Sequence, residues 1–164
     1  MLLYSGAFSA PQAQAQVACQ LCTAGPPATA KPVRTLTIAI DAMLDFSTAA
    51  HGDSGQGSIQ IDPRTGARQV RGGLVALGGM AVKGTVRLTG DPFRHVRITL
   101  PSSVTMHSTM GATADIGALI TDVSADPVLG ADGTLSFSFG ATMTVRDGAA
   151  GDFHGVIPIS AEYQ

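Results

Sequence analysis

The chain has 164 residues, enough for one domain with tails and for a core that needs no metal or disulfide. Charged residues make up 13% and the net charge is −2, which leaves no basic stripe for nucleic acid, and no apolar run is long enough for a transmembrane helix. Twenty glycines, no tryptophan and Thr, Val and Ile spread throughout describe an all-β composition with many turns.

Residues 1–15 read as the remnant of an export signal. Met1 to Phe8 is apolar, and Ala13-Gln14-Ala15 fits a small-x-small cleavage site, so the mature chain is expected to begin near Gln16. No Lys or Arg precedes the short apolar part; a start codon further upstream would explain both defects. Residues 16–32 form a tail or linker rich in Ala, Pro, Thr and Gln. It holds Cys19 and Cys22, which in an exported chain are expected to be oxidised. A local disulfide is the favoured reading, with intermolecular pairing as its alternative. Zinc would need two more ligands, haem attachment would need His where Thr23 stands, and a redox site would need a strand–helix context instead of Gly25-Pro26-Pro27.

The domain is expected over 33–164. Thr35 to Ile40 alternates cleanly as a strand and continues towards Phe46. Gly52 to Gly57 is a loop, Ser58 to Ile61 a short strand, and Asp62-Pro63-Arg64-Thr65-Gly66 a tight turn. Ala67 to Leu77 pairs back across that turn. After Gly78-Gly79, Met80 to Thr89 alternates through Met80, Val82, Gly84, Val86 and Leu88. Phe93 to Leu100 turns Val96, Ile98 and Leu100 inward. Val104 to Met106 is a short strand, and Ile116 to Val123 fits a strand or one helical turn. Thr134 to Val145 is a long strand with Leu135, Phe137 and Phe139 on one face. Seven to nine short strands between turn signals predict an all-β, immunoglobulin-like antiparallel β-sandwich with Greek-key connections, pilin-like in type, with a closed β-barrel as runner-up.

The last fourteen residues carry the strongest signal. Gly151 opens the stretch. Phe153, Gly155, Ile157, Ile159, Ala161 and Tyr163 then alternate with Asp152, His154, Val156, Pro158, Ser160 and Glu162. The leading glycine, the alternation and the penultimate aromatic resemble the C-terminal strand of chaperone–usher pilins. An ordinary last strand of a sandwich fits the same pattern. Pro158 departs from a regular strand, since proline cannot donate to a ladder.

The span 33–164 also resembles a bacterial secreted domain-of-unknown-function family, number 4402. The matching pieces are Leu36-Thr37-Ile38, Leu44-Asp45-Phe46, Ile61 to Gly66, Arg71-Gly72-Gly73-Leu74, Leu88-Thr89-Gly90, Ile98 to Pro101 and Asp132-Gly133. Ser47 stands where that family usually has glycine. The resemblance implies export and a pilin-like architecture, and no activity.

Little else suggests chemistry. Thr48-Ala49-Ala50-His51 and Gly52-Asp53-Ser54-Gly55 resemble fragments of a serine-protease signature, but they are contiguous, and a triad also needs an orienting carboxylate and an oxyanion hole. His51, His95, His107 and His154 show no ligand spacing, and the turn aspartates lack the oxygen ligands that calcium requires. No catalytic, metal or cofactor site is expected, and the chain is not read as an enzyme. The leading expectation is an exported structural subunit of a pilus-like or other surface filament of a Gram-negative bacterium, placed in the periplasm, on the cell surface or in the filament itself. It would assemble by β-strand addition. Its partners would be like subunits, with a periplasmic chaperone to guard the open edge. The edge strand would carry Gly151, Phe153, Ile157, Ile159 and Tyr163, and the candidate donor segment Val17, Cys19 and Leu21. The alternative is a monomeric exported adhesion or binding module with a self-complete sandwich.

Overall fold

The computed structural model describes residues 32–51, 55–124, 126–146, 149 and 151–164. Within the compact unit Val33–Gln164 the described residues form twelve strands. They are β1 (Thr37–Ala42), β2 (Thr48–His51), β3 (Gly57–Ile61), β4 (Arg68–Gly72), β5 (Leu74–Gly78), β6 (Gly84–Thr89), β7 (Val96–Thr99), β8 (Ser103–Ser108), β9 (Thr113–Thr121), β10 (Thr134–Val145), β11 (Phe153–His154) and β12 (Ser160–Tyr163).

The all-β class is as expected. The finer architecture is one curled, half-barrel-like sheet of eight strands, ordered β1-β6-β10-β9-β8-β11, with β3 and β4 branching from β10. Two two-stranded ladders, β12-β7 and β2-β5, accompany it. This pairing does not by itself establish the two face-packed sheets of the expected immunoglobulin-like sandwich.

β10 is the spine because its twelve residues carry an unbroken alternation that serves two cores. Its first half pairs with β6, from Thr134↔Thr89 to Phe139↔Gly84. Its second half pairs with β3 on that side and β9 on the other. The hand-over from β6 to β3 falls at Gly140. A Cβ there would collide with the Ile61 carbonyl oxygen, so only glycine lets β3 come so close. Opposite this point β9 bulges: Gly140 pairs with Ile120 and Thr142 with Gly117, and Ala118 takes φ 46.

The apolar faces gather into two clusters. One holds Phe46, Ile59, Ile61, Leu74, Ile116, Met143 and Val145 with smaller neighbours. The other holds Val86, Leu88, Val96, Leu129, Phe137 and Phe139. Phe137 and Phe139 share an inward face as predicted, and Gly84 lies under the Phe139 ring, where a Cβ would clash.

The turn at 62–66 also matches its sequence. The Asp62 Oδ1 accepts from the Arg64 and Thr65 N–H groups at 2.8 and 2.9 Å, and Gly66 takes φ 73. Those N–H bonds, Thr65 first, hold the Asp62 carboxyl below its usual value.

Elsewhere the chain departs from expectation. The stretch Ala67 to Leu77 divides at Gly72, whose φ is 73: β4 pairs with β3, and β5 leaves to pair with β2. Of the region 116–123, Ile116 to Thr121 is strand, not helix, because β9 is held between β10 and β8, and the strand ends before Asp122. The alternation that opens at Met80 becomes strand only from Gly84, where β6 begins; Met80 and Val82 are exposed, and Val82 makes just a bridge to Asp45.

The expected disulfide is corrected. No disulfide is formed among the described residues, and neither Cys19 nor Cys22 is among them. The unit Val33–Gln164 contains no cysteine at all and is held by its two apolar clusters. A bridge closing so small a loop would in any case remove little entropy from the unfolded chain. The tail positions Val17 and Leu21, and the signal remnant 1–15, also lie outside the described residues.

Candidate assembly groove

Two margins of the sheet define the site. The first is β1, at one end of the strand order, whose other side carries no ladder among the described residues. In its pairing with β6, Ile38 faces Leu88 and Ile40 faces Val86. Directly paired residues point to the same side of a sheet. Leu88 and Val86 are 0% exposed, yet Ile38 is 39% and Ile40 53% exposed. The core face therefore continues onto β1 and runs out of cover there.

Beyond β1 the chain crosses the sheet end. Met43 is 81% exposed, and Leu44 packs against both clusters. Asp45 and Val82 exchange backbone hydrogen bonds at 2.8 Å. Ser47 then takes φ 64, the conformation that glycine adopts easily. Its N–H donates to Asp45 Oδ1 at 2.7 Å and its hydroxyl to the Gly78 carbonyl at 2.8 Å, which holds a non-glycine residue in place.

The second margin is the terminal segment. Its alternation is as predicted: Phe153, Ile157, Ile159, Ala161 and Tyr163 are half-buried, and the intervening residues are exposed. Only Gly155 on the inward set stays exposed. Yet the segment is not one strand. β11 pairs with β8, from Phe153↔Ser108, and β12 pairs with β7, from Ser160↔Thr99 to Tyr163↔Val96. Between them 155–159, including Pro158, leaves the ladder. Ile157 touches both clusters, and Ile159 and Tyr163 pack on the second. Gly151 takes φ 118 beside Ser108 and Met110, where a side chain would be strained.

The two margins run in opposite senses, and their ends differ. At one end the Tyr163 hydroxyl accepts from the Asp91 N–H at 2.7 Å and donates to the Arg34 carbonyl at 3.0 Å. The Arg94 guanidinium lies 5.0 Å from the ring centroid, and Gly90 leaves the room the hydroxyl needs. At the other end a cavity of about 920 Å³ opens between 43–50 and 151–154. Met43, Met80, Met106 and Met143 line it with Phe46 and Phe153, so four of the chain's six methionines meet there. Unbranched thioethers make an adaptable apolar wall.

The sequence reading took Gly151, Phe153, Ile157, Ile159 and Tyr163 as a polymerisation edge strand; in the structure Phe153 lies in β11 and Tyr163 in β12, and Gly151, Ile157 and Ile159 lie outside the strands. It missed the methionine cavity and the uncovered face of β1. Val17, Cys19 and Leu21 lie outside the described residues. So do Gly52, Asp53 and Ser54, the centre of the protease-like fragment. Among the described residues no three His, Cys, Asp or Glu side chains gather as a metal site. His95 sits 3.2 Å from Asp126, both side chains more than half exposed. No described helix is long and apolar enough to cross a membrane.

A family model described as a domain of unknown function (DUF4402) matches residues 36–163. The chain belongs to that family. The matched span opens one residue before β1 and closes on the last residue of β12, so it takes in every strand and both margins of the groove. No curated protein and no solved structure matches this DUF4402 chain.

Proposed function

We propose that this DUF4402 chain is an exported structural subunit of a pilus-like or other cell-surface filament, assembled by β-strand addition and without catalytic activity. One observation carries the reading. Ile38 and Ile40 share a face with fully buried Leu88 and Val86 and yet lie open, beside a terminal segment whose outer edge carries no ladder among the described residues. An extended segment laid between these margins would find backbone partners on both sides and apolar pockets for alternate side chains. On this reading the half-barrel is an immunoglobulin-like sandwich left open along one seam. A like subunit's Val17, Cys19 and Leu21 would fill it, and a periplasmic chaperone would guard it beforehand.

The test is to export the chain into a periplasm and examine it by unboiled SDS gel and negative-stain microscopy. A heat-labile ladder or thin fibres are expected, and deletion of 16–32 should abolish them while the domain stays folded. A second reading, a monomeric binding module, draws on the Tyr163 bridge, which ties one end of the seam together within the chain. A single compact monomer, heat-stable without a partner, would favour it and overturn the filament.

A further inference from the structure

We infer that Leu21 of a second copy is the anchor that fills the methionine-lined cavity, with Cys19 lying along Ile40 and Val17 along Ile38, towards the Tyr163 end. This rests on the strand-addition reading and adds an anchor and a direction to it.

The groove has unequal ends. The Tyr163 end is occupied by a phenol ring and its hydrogen bonds. The cavity of about 920 Å³ at the other end has room for a large side chain and a wall of thioethers that can close around it.

The chemistry of the occupant points to the chain's own start. Residues 1–30 contain no Asp, Glu, Lys, Arg or His. A segment without charge has no ion to desolvate on entering an apolar groove. Within 16–22, Val17, Cys19 and Leu21 share one parity, and Gln16, Ala18, Gln20 and Cys22 the other, so an extended strand offers one wholly apolar face and one mixed face on which Gln16 and Gln20 are the polar residues. Leu21 is the largest of the three and the last large apolar side chain before Gly25-Pro26-Pro27, where the prolines lack the N–H a ladder needs.

Matching the largest side chain to the largest space fixes the polarity. The chain enters β1 from Arg34, at the Tyr163 end, and leaves it at Met43, at the cavity, and the terminal segment runs the other way. A strand with Val17 near Tyr163 and Leu21 in the cavity is parallel to β1 and antiparallel to the terminal segment. Val17 to Leu21 spans roughly 13–14 Å at strand rise. From there the eleven residues Cys22 to Pro32 reach at most roughly 36–40 Å before the donor's own domain begins. The donor domain thus lies beyond the cavity end of its acceptor. Its own groove is left free for a third copy, a head-to-tail contact that does not close on itself.

The test uses the full chain with Cys19→Ser and Cys22→Ser, exported and mildly oxidised, then run boiled without reductant. Leu21→Cys with Met80→Cys should give a covalent ladder; Met80 is 84% exposed, so the substitution leaves the core intact. Val17→Cys with Met80→Cys should give none. A ladder from the Val17 pair alone would overturn the direction. Fibres without either crosslink would overturn the anchor and leave strand addition standing. A bridge confined to single chains would overturn the second copy as occupant. Absence of any assembly by the unsubstituted chain would remove the filament reading and this inference with it.

Discussion

Tyr163 does three things with one side chain. Its ring packs on the second apolar cluster, its hydroxyl joins Asp91 to Arg34, and its face carries the Arg94 guanidinium. Tyr163→Phe keeps the ring and strands a donor and an acceptor, so it should cost about 1–2 kcal/mol in urea unfolding. An unchanged midpoint would mean that water replaces the hydroxyl at no cost. Two carboxyls report on pH. The Thr134 hydroxyl and N–H hold Asp132 below its usual value of 3.8, much as the Thr65 and Arg64 N–H groups hold Asp62. Each binds its proton more weakly folded than unfolded. The stabilisation is therefore present above pH 3.8 and is lost as the pH falls through the lower folded value. Asp62→Asn with Asp132→Asn should flatten the acid limb of a stability–pH curve, measured by circular dichroism in urea. Parallel limbs for both proteins would rule these turns out as its source.

At the scale of elements, the positions where the backbone comes closest are the most sensitive. Gly140→Ala would press a methyl group on the Ile61 carbonyl, and a loss of about 1–3 kcal/mol is expected by chemical denaturation. β1 should behave oppositely. Ile38→Thr with Ile40→Thr should change stability by less than about 1 kcal/mol each, because both side chains already meet water, while fibre formation is lost. Equal loss of folding and assembly would mean that the face is already covered. The sequence was legible wherever period and punctuation agreed. Thr134 to Val145 reads as one strand and is one, and the terminal alternation holds residue for residue in its burial apart from Gly155. β2 was not legible, because Thr48-Ala49-Ala50-His51 has no apolar period and exists as a strand only through β5. The terminal break was half legible: Pro158 announces it, but the choice of β8 and β7 as successive partners is tertiary. The groove could not be read at all. Whether Ile38 is covered depends on its register with Leu88, and a chain that alternates well looks the same at a margin as in the middle of a sheet.

Across the whole molecule the two clusters share β10, with Phe137 and Phe139 in one and Met143 and Val145 in the other. Neither can melt while the spine stays in place. Phe137→Ala should cost about 3–5 kcal/mol and still give a single unfolding transition, superimposable by circular dichroism and by hydrogen exchange at β3 and β9. Two separated transitions would show that the clusters are independent. The shared spine also sets a timetable. β1, β3 and β6 are made first, but the strand that binds β3 and β6 to the rest is 134–145, near the chain's end. At synthesis rates of about 5–20 residues per second, Ala42 emerges roughly 5–20 s before Val145. Throughout that interval the early strands can pair only among themselves, β1 with β6, β3 with β4 and β2 with β5, and the edges that β10 will cover on β3 and β6 are bare. A chain built in this order meets its greatest risk of wrong association before it has a fold to protect.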